Sequence, residues 1–386
     1  AAGLTSSSGA RRTPITAGIH QNRSSHDANL DDSEDSDSES SGSRLTWNEA
    51  FQQAIDMPDA NDTLKQERAE SIAQIAQDFV STAIMFGKII ISEVFLENEN
   101  KTIKATAGFG GNAGGEKYVF NGILFKFAVD WKGIYTSDEY AMKAAAHELK
   151  GLEQFLDFSP GIRVPLMCLI DYLGFRLIAL SLLPINNTTL VYGSDNAGHT
   201  VKSTDPDNQM KRAGQVLNLK EHVAGQNESF TAQVSFPADI EGHIGTDKRF
   251  YVLDLARLLP PTAPDKSKAS SQYLFRLFRP EFVRGYRIPL SPDAFSNFDK
   301  CDPHREVHRR EIIDATAVLQ EQIVARVGTL ETSCVFNERT KPSQFIDLIH
   351  KAGINLRYLP TVRTRVGPYM RTFVMLEMIA RGIKTH

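Results

Sequence analysis

The sequence predicts an α+β fold with two lobes, a β-rich N-terminal half and a mostly helical C-terminal half. Three observations lead there. Short β-branched and aromatic runs, separated by turn signals, crowd residues 101–255. Amphipathic helical spacing governs 63–86 and nearly everything after about 272. Strands and helices are therefore segregated along the chain, which argues against a doubly wound parallel sheet. With 386 residues, 41% of them hydrophobic, the chain can bury a sizeable core.

Residues 1–44 read as a disordered, acidic and Ser-rich tail. The stretch "SSHDANLDDSEDSDSESSGSR" has almost no apolar side chain to offset the entropy of ordering. Ser33, Ser36 and Ser38 each precede an acid, a pattern that suits acidophilic kinases and a solvated linker equally. The opening "AAGLTSSSGARRTPITAG" has no apolar h-region and does not read as a secretory signal.

A folded region is expected over 45–386. Within it, 45–100 is a helical lead-in with a first strand, 101–202 a β-rich lobe, and 203–386 a larger lobe ending in helices. Ile72, Ile75, Ala76, Phe79, Ala83 and Phe86 recur at helical spacing. "GKIIISEVFL" (87–96) reads as a strand. "KYVFNGILFKFAVD" is two strands joined at Asn121-Gly122, a strong hairpin signal. "SDEYAMKAAAHELKGLEQFL" is a helix with Ser137 as N-cap and acids in its first turn. "VPLMCLIDYLGFRLIALSLLPI" gives two buried strands around Gly174, and "TLVYGSDNAGHTVKS" a hairpin turning at 196–198. "EGHIG" and "RFYVLDLA" form another hairpin about Thr246-Asp247-Lys248, stopped by Pro260 and Pro261. Asp302-Pro303 opens a long helix, and "PSQFIDLIHKAG" and "YMRTFVMLEMIARGIK" are helical.

Charge narrows the function classes. The net charge is −4, but the tail carries −3 of it, so the folded part is nearly neutral and not a polyanion binder by bulk charge. No apolar run reaches 18 residues, so no membrane insertion is expected. The three cysteines, Cys168, Cys301 and Cys334, are scattered, with no disulfide framework and no CxxC pair. Cys301, His304 and His308 have ligand-like spacing, yet Arg305, Arg309 and Arg310 crowd the same turns and favour a surface helix. No HExxH, Walker loop or Ser-His-Asp order is present.

Four groups of residues remain. Gly108, Gly110, Gly111, Gly114 and Gly115 precede a strand pair that carries Lys126. A glycine loop lets backbone N–H groups approach phosphates, and a strand lysine holds them, an order that resembles protein kinases. Glu148 follows on the next helix, where a kinase pairs its strand lysine with a glutamate; a solvated acid is the alternative. "VLDLAR" resembles the kinase metal-binding Asp motif with Leu-Ala in place of Phe-Gly, making Asp254 a Mg²⁺ ligand. "DIEGH" resembles a degraded catalytic loop in which Asp239 is the acid and the downstream Asn is missing. A structural pairing of Asp254 with Arg249, Arg257 or Lys126 is the alternative. Asp254 is expected at a strand end, its carboxylate turned toward Lys126 in a cleft. Lastly, Arg357, Tyr358, Arg363, Arg365 and Arg371 interleave cations with aromatics, which suits an RNA surface or an acidic protein partner.

With these residues in view, the chain resembles the Clu, or clustered-mitochondria, family. The likeness spans about 45–386 and rests on "TWNEAFQ", "FNGILFKFAVD", "SDEYAMKAAAHELKGL", "YLGFRLIALSLLP", "LVYGSD", "EGHIGTDKRFYVLDLARLLPP", "FRPEFVRGY" and "KAGINLRYL". It implies a cytoplasmic protein needed for mitochondrial distribution, with mRNA or the translation machinery as partner. Members carry a ubiquitin-like region and a tetratricopeptide array, neither of which lies in these 386 residues. Many members have a small polar residue where Lys126 stands. The resulting reading is a non-enzymatic scaffold. Its alternative is a kinase-like domain, an ATP-dependent phosphotransferase or a pseudokinase, that uses Lys126, Glu148 and Asp254 with ATP and Mg²⁺.

Overall fold

In a computed structural model, residues 45–106, 115–159, 161–195, 200–265, 267, 270–333 and 342–385 are described. The acidic tail, the glycines 108, 110, 111 and 114, the turn at 196–198 and Cys334 lie outside them.

Helix α1 (Trp47–Ile55) starts at Thr46. Its hydroxyl accepts from the Glu49 N–H, and the Glu49 carboxylate accepts from the Thr46 N–H, so two end donors are satisfied reciprocally. Helix α2 (Asp62–Ser92), capped by Asn61, runs past Phe86 to Ser92. The strand expected over 87–96 is therefore replaced by helix as far as Ser92 and by a turn beyond it. Burial outweighs the β propensity of Ile89, Ile90 and Ile91 here. Ile90 and Ile91 are each 1% exposed. Gly87 lets the helix lie against Ile170 and Leu177, where an added Cβ would stand 2.5 Å from the Ile170 Cδ1. By length and composition α2 could also cross a membrane; in this fold its Phe79, Ala83, Ile90 and Ile91 are buried on a sheet.

That sheet is antiparallel, in the order β1-β2-β4-β3: β1 (Lys117–Phe120), β2 (Ile123–Phe127), β3 (Met167–Tyr172) and β4 (Phe175–Ser181). Asn121 and Gly122 both have positive φ, 49° and 70°, the twist that a two-residue hairpin needs. The sheet's other face receives α3 (Asp138–Phe158), whose N-cap is Ser137 as expected. Ala145 of α3 packs there with Leu124, Ile178 and Leu180.

A second antiparallel sheet has the order β10-β9-β5-β6: β5 (Leu190–Ser194), β6 (Val201–Ser203), β9 (Glu241–Ile244) and β10 (Phe250–Leu253). Between β6 and β9 come helix α4 (Gln209–Val216) and a hairpin of β7 (His222–Ala224) and β8 (Ala232–Val234), none of them anticipated. The helical reading after 272 needs correction. Up to 304 the only α-helix among the described residues is α5 (Pro280–Arg284). Pro289 and Pro292 withhold backbone donors there, and turns take over. Helices α6 (Arg305–Ser333), α7 (Pro342–Lys351), α8 (Leu359–Arg365) and α9 (Pro368–Thr385) complete the chain.

The largest core joins Phe155 of α3 to Val252, Leu255, Phe278, Phe282 and Ile312. Helix α3 thus touches the first sheet on one side and the second core on the other. Any polar residue on its inner stripe is caught between them.

Candidate functional site

Strand alternation aims Ile123, Phe125 and Phe127 at α2, so Leu124 and Lys126 face α3. The buried stripe of α3 runs Ala141, Ala144, Ala145, Glu148 and Phe155. Glu148, 7% exposed, is thus an acid on an apolar stripe and not on a solvated face. Its Oε1 lies 3.4 Å from the Lys126 Nζ. Asp254 approaches the same ammonium, with Oδ1 at 3.8 Å. Three residues far apart in sequence converge on one point.

Asp254 gets there by leaving the strand. β10 ends at Leu253, and Asp254 takes left-handed backbone angles, φ 61° and ψ 46°. Asp tolerates this region better than most side chains. The turn, rather than alternation along β10, aims the carboxylate at Lys126. The Asp254 side chain remains 40% exposed while that of Glu148 is 10% exposed, so solvent reaches the triad from the Asp254 side.

The electrostatics follow from one cation between two acids. Burial works against the Lys126 charge, but Glu148 and Asp254 outweigh it and hold the ammonium above the ordinary lysine range. Glu148 is raised, first by burial; Lys126 offsets part of this and Asp254 adds to it. Three further groups surround the triad, all missed in the sequence. Glu241, the cross-strand partner of Leu253, is raised by burial, with Asp254 adding to the effect, and contacts the His243 Nε2 at 3.4 Å. The Tyr135 hydroxyl is pushed up to about 12 by burial. Lys117, paired in register with Lys126, is lowered by burial and by that neighbour; its Nζ donates to the Gly115 carbonyl at 2.8 Å. Glu241 was legible once the hairpin register was drawn. Tyr135 had no signal.

Asp239 stands in a different network. Arg257 grips it with two bonds, Nε to Oδ2 at 2.5 Å and Nη2 to Oδ1 at 2.7 Å. The same Nη2 donates to Asp293 Oδ1 at 2.8 Å. Asp293, 0% exposed, also accepts from the Ala238 N–H at 2.8 Å and the Ser296 hydroxyl at 3.0 Å, and meets His222 Nε2 at 3.0 Å. The other His222 nitrogen faces the Lys220 carbonyl at 2.9 Å. Both ring nitrogens thus meet acceptors, the pattern of an imidazolium.

The C-terminal cations divide. Arg357 is turned inward, its Nη2 donating to the Leu277 carbonyl and to Asn355 Oδ1, both at 3.2 Å. Tyr358 packs against the second core. Arg363, Arg365 and Arg371 are exposed on α8 and α9. His308 Nδ1 bonds Asp302 Oδ2 at 2.7 Å, and among the described residues no group of three or more His, Cys, Asp or Glu is placed to hold a metal ion.

The Clustered mitochondria family model matches residues 46–264, which include Lys126, Glu148, Asp239 and Asp254. A Clustered mitochondria protein homolog of Brugia malayi is 28% identical over 229 residues, 56% of this chain and 15% of the relative. The Clustered mitochondria protein of Arabidopsis thaliana is 24% identical over 297 residues, 64% of this chain and 20% of the relative. A homolog from Dictyostelium discoideum is 22% identical over 439 residues, 90% of this chain and 32% of the relative. The chain thus spans less than a third of the length of these curated relatives. No solved structure matches it. With more than half of its residues inside the family match, the chain belongs to the Clustered mitochondria family.

Proposed function

We propose that this chain acts in mitochondrial organisation as a Clu-domain scaffold, through association with mRNA or the translation machinery. The family match over 46–264 carries the reading, together with relatives named for clustered mitochondria in nematode, plant and amoeba. The exposed Arg363, Arg365 and Arg371 offer a basic face to RNA phosphates or to an acidic partner. Cells depleted of the protein are expected to show mitochondria collapsed into clusters by fluorescence microscopy, with reduced translation of mRNAs for mitochondrial proteins. A normal network and normal translation after depletion would overturn the proposal.

The convergence of Lys126, Glu148 and Asp254 favours a second reading, in which the domain binds a Mg-nucleotide. Lys126 would hold phosphate oxygens, Glu148 would fix the lysine, and Asp254 with Glu241 would offer carboxylates to the metal. Asp239 is gripped by Arg257, and a carboxylate so held is a poor general base. Binding without phosphoryl transfer suits this geometry best. Saturation at ~100 times the dissociation constant adds ~2.7 kcal/mol, so Mg-ATP should raise the melting temperature by several degrees. Asp254→Asn is expected to abolish that rise while leaving mitochondrial distribution intact. No rise with millimolar Mg-ATP removes this second reading and leaves the scaffold untouched.

A further inference from the structure

On α3, to either side of Glu148, basic side chains gather without enough anions. Lys143, His147 and Lys150 follow one another at helical spacing. Arg276 and Arg279 face them from the segment leading into α5, and Arg357 from the turn before α8. A cavity of about 90 Å³ opens here, lined by His147, Lys150, Gln154, Arg279 and Asn355 over an apolar floor that includes Leu255 and Phe278.

Few acids answer this charge. Glu139 lies beside Lys143, and Glu153 and Glu281 beside Lys150. Glu281 is already paired with Arg279 at 2.8 Å. Two donors or acceptors are orphaned: His147 Nδ1 and Arg357 Nε are shielded from solvent and have no hydrogen-bond partner. Buried polar atoms are seldom left so. Burial, then Arg357 and Arg276, bring Lys143 down to about 8; burial, then Lys143, Lys150 and Arg357, bring His147 down to about 3. Burial, with Arg279 and Lys150 adding to it, lowers His350 to about 4. Both imidazoles are therefore uncharged near neutral pH, and the positive charge here is carried by the lysines and arginines.

We propose that this pocket is a binding site for a phosphate monoester. The volume decides the size of the group. Pockets for whole drug-sized ligands measure roughly 300–1,000 Å³, so this one admits a single tetrahedral oxyanion while the rest of its carrier stays outside. The charge decides the class. Lys150 and Arg279 on the lining, with the unpartnered His147 nitrogen, suit a dianion with three acceptor oxygens. A nucleic-acid backbone, with one charge per phosphodiester, would instead need an open groove lined with stacking aromatics. The site is separate from the Lys126 triad and does not rest on nucleotide binding there.

The test uses the full chain in phosphate-free buffer. Inorganic phosphate, a phosphoserine peptide, its unphosphorylated twin and a single-stranded RNA of arbitrary sequence are titrated by calorimetry and by thermal shift. The twin peptide is expected not to bind. Lys150→Gln should weaken phosphate binding at least tenfold, yet melt no lower than wild type without phosphate. Gln154→Glu places a carboxylate among the cations; it should raise the melting temperature and block phosphate. Tighter binding of the phosphopeptide than of phosphate would identify a phosphorylated protein as the source. Equal binding would identify a small free phosphomonoester. Absence of phosphate binding, binding unchanged in all variants, or RNA binding lost in the variants without any phosphomonoester binding would each overturn the proposal.

Discussion

Asp293→Ala is expected to cost about 3–5 kcal/mol of folding stability, the range for removing one partner of a buried ion pair. Four groups lose their acceptor at once: Arg257, His222, the Ser296 hydroxyl and the Ala238 N–H. Arg257 would keep Asp239, but His222 would stay buried without the carboxylate that holds its proton. Chemical denaturation measures the loss, and pH locates it. Burial opposes the His222 charge, but Asp293 outweighs it and raises the group. The folded state therefore holds more protons than the unfolded state above the ordinary histidine pKa of about 6.5, so this contribution is complete below that pH. It is lost as pH rises through the folded-state value. Asp293 itself is held well below the usual carboxylate range, burial being outweighed by His222 and Arg257. Its contribution is present above about pH 3.9 and is lost as pH falls through the depressed value. Wild type should lose part of this stability on the alkaline side of about pH 6.5, and Asp293→Ala should lose that dependence. A loss below about 1 kcal/mol would show that the network is only a surface-like ornament of the fold.

Gly193→Ala is expected to be nearly as damaging, at about 2–6 kcal/mol, from the sum of left-handed strain and overpacking. Gly193 has φ +84°, and an added Cβ would stand 1.6 Å from the Ile240 carbonyl oxygen, a backbone atom that cannot swing aside. At this point β5 lies close against 238–240, with the Ser194 N–H donating to the Ala238 carbonyl at 2.6 Å. A shift there would also move Asp239 from Arg257 and the Ala238 N–H from Asp293. The same substitution at Gly133 is a control. It shares a positive φ of +69° but has nothing within 4 Å, so it should show the strain alone. Comparable losses at both sites would mean that the close approach at Gly193 is not what requires glycine.

Much of the candidate site is legible in the sequence, and the reason is chemical. Lys126 and Asp254 stand out because a charge in an apolar run has to be answered by something, and Glu148 stands out by its place on the helix that follows Lys126. The answer that each finds is not legible. Spacing places Glu148 on a helix but does not tell the buried stripe from the solvated face, because that depends on which sheet the helix meets. The aromatic-cation interleaving at the C terminus suggests one surface, yet Arg357 turns inward to the Leu277 carbonyl, and only Arg363, Arg365 and Arg371 remain outside. Asp293, in "SPDAF", looks like any turn acid next to a proline.

What the sequence determined by itself is local. Asn121-Gly122 makes its hairpin because both residues accept positive φ, and Ser137 starts α3 because its hydroxyl takes the Tyr140 N–H. These choices depend on neighbours within a few residues, and no distant partner can change them cheaply. The tertiary structure decided the rest. It made Ile89, Ile90 and Ile91 helical against their β propensity, turned Asp254 out of its strand toward Lys126, and paired His222 with Asp293 across 71 residues of sequence. It also gathered His147, Lys150 and Arg279 around one cavity. Each of these rests on burial and charge, whose strength depends on what else is excluded from water at the same place, and that is a property of the packed chain rather than of any segment of it.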